Sequence, residues 1–253
     1  MNTNINKLVD KIYVLTIERN SDRHPNIRSI LESMDFEFWY GLDAPRNFAG
    51  KKYVSDIEDQ FFINNDIDKG HVSRLTVGQF GAYFSIKKMI NHVAKCEYDK
   101  VLIFEDDILP LKTNWKNILS KSLEELPEDW DILLVGYVYD GRLYKHCYNR
   151  NMRFVVKTYN ALRSLLKKKN VIGRFPAKFS KHLDASGYCM GGHAYCLSKN
   201  GAKLLSSYLS PMQDSGDVLI SHLIVEKKIK AYSVYPCLFF QDRRKFGSKT
   251  RNE

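Results

Sequence analysis

The sequence predicts an α/β fold, a mostly parallel sheet flanked by helices. Short β-rich apolar runs alternate with amphipathic helical stretches along the chain. The opening reads strand, helix, strand, the unit that builds parallel sheets through right-handed crossovers. The apolar run at 101–104 ends in three adjacent acids. In open α/β sheets that strand end is where ligands bind.

The elements follow in order. KIYVLTI, residues 11–17, reads as a buried strand. SDRHPNIRSILESM, from Ser21, reads as a helix with Ile27, Ile30, Leu31 and Met34 on one face. FEFWYGLD alternates and stops at glycine, a second strand. Residues 44–75 are polar and irregular and read as loop. TVGQFGAYFSIKKMINHVAKC reads as a helix that turns Val77, Phe80, Phe84 and Ile90 inward. VLIFEDD reads as a strand with a loop start, NWKNILSKSLEEL as a helix and DILLVGY as a strand. AYCLS, KNGAKLLSSYL, DVLISHLIVEKK and KAYSVYPCLFF read as strand, helix, helix and final strand. We expect one domain over 1–253, with a basic insertion or lid at 141–182 and a basic tail at 241–253.

The chain of 253 residues is long enough to bury a sizeable core. Its 39 basic and 29 acidic residues leave a net charge of +10, which points to an anionic partner. Nucleic acid is not expected, because no finger, RNA-recognition signature or basic-aromatic stripe is present. No run of apolar residues is long enough for a membrane-spanning helix, and no signal peptide is read at the start. The cysteines Cys96, Cys147, Cys189, Cys196 and Cys237 are an odd set without CxxC spacing. That excludes a disulfide framework and a cysteine zinc site. We expect a cytoplasmic protein, peripheral to the inner face of a membrane.

Glu105, Asp106 and Asp107 raise one another's pKa values unless a cation neutralises them. A divalent ion with oxygen ligands does so, and Mg²⁺ or Mn²⁺ brings substrate phosphates with it. The acids therefore read as a metal–diphosphate site. Receiver domains also end a strand in paired acids. Theirs lie near the N-terminus, and DILLVGYVYD lacks the later aspartate they need.

Across residues 11 to 241 the chain resembles glycosyltransferase family 25, which includes lipooligosaccharide and collagen galactosyltransferases. YVLTIERNSDR is similar to the family's strand followed by N-L-x-R-x-x-x-R. TVGQFGAYFSI resembles its T-x-G-E-x-G-C-x-x-S-H helix, and IFEDD its L-E-D-D element. AYCLSKNGAKLL, PMQDSGDVLI and PCLFFQ resemble its later strand–helix, aspartate and closing segments. The chain departs from the pattern at Thr16, Gln79, Ala82 and Ile86, where the family has asparagine, glutamate, cysteine and histidine.

The resemblance implies a GT-A-like, Rossmann-type fold and an inverting transfer from a UDP-sugar, most simply UDP-galactose. The implied acceptor is a glycan such as lipooligosaccharide. It implies Mn²⁺ or Mg²⁺ on Asp107, with Asp106 as a second ligand. Glu105 and Asp106, with Thr16, Arg19 and Arg23, would serve the nucleotide, and arginine suits phosphates through its bidentate fork. Gly191, Gly192, His193 and Gln241 would line the acceptor or donor pocket. The family's downstream aspartate, the general base, maps to Asp217 or to Asp214. A nucleotidyltransferase and a non-catalytic glycan-binding protein are the alternatives. An anionic membrane is the further partner, reached through the basic insertion and tail.

Overall fold

The computed structural model describes residues 4–43, 77–139 and 176–246. Ten strands form one sheet. They are β1 (Lys11–Thr16), β2 (Glu37–Tyr40), β3 (Lys100–Glu105), β4 (Ile108–Pro110) and β5 (Ile132–Tyr139). β6 (Ala177–Lys178), β7 (Leu183–Ala185), β8 (Cys189–Ser198), β9 (Ala231–Val234) and β10 (Phe239–Gln241) follow. The helices are α1 (His24–Ile30), α2 (Val77–Val93), α3 (Trp115–Glu124), α4 (Lys199–Tyr208), α5 (Gly216–Val225) and α6 (Arg243–Phe246).

The main order is β2-β1-β3-β8-β5-β9-β7-β6, with β10 beside β5 and β4 beside β10. The pairings make β1, β2, β3, β5, β6, β9 and β10 run one way and β4, β7 and β8 the other. The sheet is thus mostly parallel, with β8 reversed between β3 and β5.

The strands are apolar on both faces because both faces are covered. Ile103 and Tyr195 pack with Phe80, Tyr83 and Ile90 of α2, Leu205 of α4 and Leu223 of α5. On the other side Leu102, Phe104 and Cys196 pack with Ile27 of α1 and with Trp115 and Leu119 of α3. Successive residues of β3 therefore serve opposite layers, as the two-residue period of a strand requires.

Several boundaries differ from the sequence reading. Residues Glu18–Arg23 form a 3₁₀ turn, and α1 starts only at His24, with Pro25 in its first turn. β8 begins at Cys189, ahead of AYCLS, and carries both glycines of MGGHAY. The final apolar run is two strands, divided around Pro236. β4, β6 and β7 are too short to show a period. The expected loop at 44–75 and most of the expected insertion at 141–182 lie outside the described residues. Its last part, however, holds β6, an edge strand of the sheet.

The motif SKNGAKLL has a packing reason. Ser198 is the N-cap of α4, and its hydroxyl accepts from the Gly201 amide at 2.9 Å. A Cβ on Gly201 would stand 2.0 Å from the Asp131 carbonyl oxygen. Backbone cannot swing aside as a side-chain tip can. Alanine gains about 1 kcal/mol of helix propensity over glycine, and overpacking of this kind costs about 1–3 kcal/mol. With a gap this short the clash dominates. Gly201→Ala is expected to lower unfolding free energy by ~2 kcal/mol net, read as a lower urea midpoint. An unchanged midpoint would show that α4 slides freely over β5.

At the far edge, Glu125 holds the β6–β7 turn. It accepts from the Ser180 hydroxyl, from the His182 amide at 2.9 Å and from the His182 ring at 2.5 Å. Burial pushes the Glu125 carboxyl up, but these hydrogen bonds outweigh it and hold it at about 2. A folded value below the unfolded one gives stability that is complete above the unfolded value and fades as pH falls through the folded one. Thermal stability is expected to decline between roughly pH 5 and pH 2, and Glu125→Gln to flatten that decline. An equally steep acid limb in the variant would remove Glu125 as its source.

Candidate active site

The parallel register brings three strand ends to one edge. Leu15 pairs with Glu105 and Thr16 with Tyr40. Because β8 runs in reverse, its start reaches the same edge. Phe104 pairs with Ala194, which sets His193 beside Glu105 in the ladder's continuation.

The three acids have different environments. Asp106 is 5% exposed. Its Oδ2 accepts from Thr16 Oγ1 at 2.7 Å and Asn20 Nδ2 at 2.9 Å, and its Oδ1 from Arg23 Nη1 at 2.5 Å. Arg23 is itself buried, with the Phe246 ring of α6 5.0 Å from its guanidinium carbon. Thr16, Arg23 and Asp106, each expected to meet the nucleotide or metal, are thus joined to one another. Asn20 completes the set and escaped the sequence reading, since a lone amide between charged neighbours in IERNSDR carries no periodic signal.

Asp107 stands differently. Its Oδ2 lies 3.8 Å from Arg23 Nη1, an ion-pair distance beyond hydrogen bonding, and its side chain is 14% exposed. Its carbonyl accepts from the Asp242 amide at 2.7 Å, which ties the acidic turn to the end of β10.

Glu105 accepts from Gln241 Nε2 at 2.9 Å. Burial, then the charge of Asp107, push its carboxyl well above the ordinary carboxylate range. The Gln241 bond opposes this, and Asp106 and Asp217 add to it. Asp217 therefore shares the field of the strand acids although it is far away in sequence. Tyr195, 3% exposed, is held protonated by burial and by the same Glu105.

Asp217 lies in the first turn of α5, where Ser215 holds the N-cap position. Its Oδ1 accepts from Ser215 Oγ at 2.8 Å and from the Val218 amide at 3.0 Å. Two contacts aim this turn at the site. Ser221 donates to the Cys189 carbonyl at the start of β8. Gly216 faces Ile86 of α2, which an added Cβ would meet at 3.5 Å. Asp214 precedes the helix, and its Oδ1 accepts from the Ser215 amide at 2.7 Å.

His193 is fully buried, and its Nε2 donates to the Phe239 carbonyl at 3.0 Å. Its ring fills the space left by Gly136, where a Cβ would come within 2.7 Å of it. It braces β8 against β5 and β10 in this arrangement. Gly191 and Gly192 lie in β8 just before it. Arg19 Nε is 2.9 Å from Asp43 Oδ1 beyond the end of β2. Gly41 abuts Ser85, which accepts from the Leu42 amide at 2.7 Å and donates to the Gly81 carbonyl at 2.6 Å. The serine of the α2 motif thus fastens the chain leaving β2.

The family model of Glycosyltransferase family 25 (LPS biosynthesis protein) matches residues 9–220. The chain belongs to this family. Its activity class is accordingly glycosyl transfer. No curated protein matches the sequence. Among solved structures, A197 from STIV is 13% identical, with 88% of this chain and 79% of that chain covered and a TM-score of 0.35. An active-site mutant of LgtC is 11% identical, with 85% and 70% covered and a TM-score of 0.37. Mouse xyloside xylosyltransferase 1, apo form, is 12% identical, with 90% and 70% covered and a TM-score of 0.35. At these scores the likenesses carry no argument. No helix among the described residues is long and apolar enough to cross a membrane.

The buried Asp106 and the more exposed Asp107 separate by stability. Asp106→Ala leaves Arg23 buried without its partner, which typically costs about 3–5 kcal/mol. Asp107→Ala removes a partly exposed acid from a crowded cluster and is expected to change stability by no more than about 0.5 kcal/mol. Urea unfolding of both variants checks this. Equal losses would mean that Asp107, not only Asp106, anchors the turn.

Proposed function

We propose that the protein transfers galactose, with inversion, from UDP-galactose to a glycan of the lipooligosaccharide type. Family membership supports glycosyl transfer, and the observation that carries the rest is the shared field of Glu105, Asp107 and Asp217 at one sheet edge. Inversion needs one carboxylate to take the acceptor hydroxyl proton as that oxygen attacks opposite the leaving UDP. Asp217 suits this role. The N-terminal end of α5 favours its charge, and Ser215, at the N-cap position, donates to it. Nothing comparable ties Asp214 to the cluster.

The donor set fits a hard divalent cation such as Mn²⁺ or Mg²⁺. Its atoms are carboxylate oxygens, and burial followed by repulsion from Asp107 pushes Glu105 up. Asp107 would hold the ion, and Asp106, with both oxygens on protein donors, would orient Asp107 rather than bind directly. Among the described residues no group of three His, Cys, Asp or Glu is placed to hold a metal. An ion held by one or two carboxylates would be completed by substrate phosphates. Such an ion supplies Lewis-acid stabilisation of a departing diphosphate. Glu105, oriented by Gln241, would meet the nucleotide ribose. Arg19, in the 3₁₀ turn after β1, would meet the phosphates.

Asp217→Asn keeps the acceptor oxygen that Ser215 and Val218 use and removes only basicity. It is expected to lower kcat for UDP-galactose by about 10² to 10⁴, with UDP affinity and Tm nearly unchanged. Asp214→Asn is expected to cost much less. The measurement is metal-dependent UDP release with a panel of UDP-sugars and glycan acceptors. Exchange of the two results would make Asp214 the base, and full turnover in both would place the base elsewhere. Preference for another UDP-sugar would correct the donor.

A further inference from the structure

The β4–β10 ribbon is apolar on both faces. Ile108 and Phe239 point inward and are fully buried. On the outer face Phe240 pairs with Leu109, and Leu111 follows two residues on. Leu109 is 41% exposed, Leu111 46% and Phe240 40%. These are three of the five large apolar side chains that stand exposed among the described residues, and all three sit on one short ribbon. A sheet face open to water normally alternates to polar residues. A clustered exception marks a surface that binds something.

Position and charge say what. β4 begins one residue after Asp107, and β10 ends at Gln241, which holds Glu105. The ribbon therefore forms part of the rim of the site. Exposed Lys112 follows Leu111, and exposed Lys245 lies in α6 beyond β10. The chain as a whole carries +10. Apolar side chains flanked by lysines suit an anionic bilayer, where the first enter the interface and the second meet lipid headgroups. A second copy fits less well, since a stable interface buries about 800 Å² per partner, far more than three side chains supply.

We propose that the outer face of this ribbon rests on an anionic lipid bilayer and holds the site mouth at the membrane surface. The proposal deepens the reading above, because a glycan acceptor with a lipid anchor would then be presented beside Asp107 and Asp217. Its test does not depend on transfer. The full chain is sedimented with phosphatidylglycerol–phosphatidylcholine vesicles and with pure phosphatidylcholine vesicles, over a range of salt. Wild type is expected to sediment with the anionic vesicles and to release as salt rises, since screening acts over about 8 Å at physiological ionic strength. The combined variant Leu109→Ser, Leu111→Ser, Phe240→Ser is expected to bind at least about tenfold more weakly, with Tm and the UDP-induced rise in Tm retained. If its Tm drops, the pair Lys112→Glu, Lys245→Glu carries the test with the same expected loss. Absence of wild-type binding, or wild-type binding in both variants, overturns the proposal. So does a wild-type dimer that the serine variant dissolves. Vesicle binding without any UDP-sugar turnover would leave the ribbon's role standing and sink the enzymatic reading instead.

Discussion

A buried carboxylate fixes the geometry of the whole edge. Asp106 is removed from water, and a charge in that position persists only when its oxygens are fully met. Thr16, Asn20 and Arg23 meet them, and all three come from the end of β1 and the 3₁₀ turn after it. The clamp therefore joins β1 to the end of β3. Asp106 cannot rotate, so Glu105 and Asp107, its chain neighbours, are aimed by it. α6 closes over Arg23 from the other side and keeps water from the pair.

Around this neutralised centre the remaining charge is unbalanced. Burial, and then the charges of Asp107, Asp106 and Asp217, raise the cost of ionising Glu105, while Arg19 is engaged with Asp43 and Arg23 with Asp106. A protein of net charge +10 thus concentrates negative potential at the edge where its strands end. An anionic sugar donor would be repelled by these carboxylates, which is why a cation enters the proposed chemistry. Lys112 and Lys245 stand exposed on the flanks of the ribbon beside this edge.

Much of this was legible in the chain. The central runs VLIF and ILLV are continuous, and continuous apolar runs bounded by turns announce covered strands. The acids were legible at a strand end and Asp217 at a helix start, as the structure has them. What stayed hidden has physical causes. β4, β6 and β7 have two or three residues each, and a period cannot be read from so few. The division of labour among Glu105, Asp106 and Asp107 depends on which faces meet donors from a distant segment, and adjacent acids look alike in sequence. Asn20 acts through one amide at a 3₁₀ turn, and His193 through a space left by Gly136. Neither relation is local in the chain.

The reversed strand β8 has a consequence for how the molecule is made. It is the link between β3 and β5 in the main order, and it is synthesised about fifty residues after β5 ends. Until it arrives, β3 and β5 each present an unpaired apolar edge, and the halves of the sheet have no common ladder. Closing contacts over such separations is slow because the chain entropy is lost before the pairing is gained. During translation the first half of this protein is therefore a set of open edges, exposed to pairing with other chains. The strand that carries His193 to the edge beside Glu105 is also the one that ends that exposure.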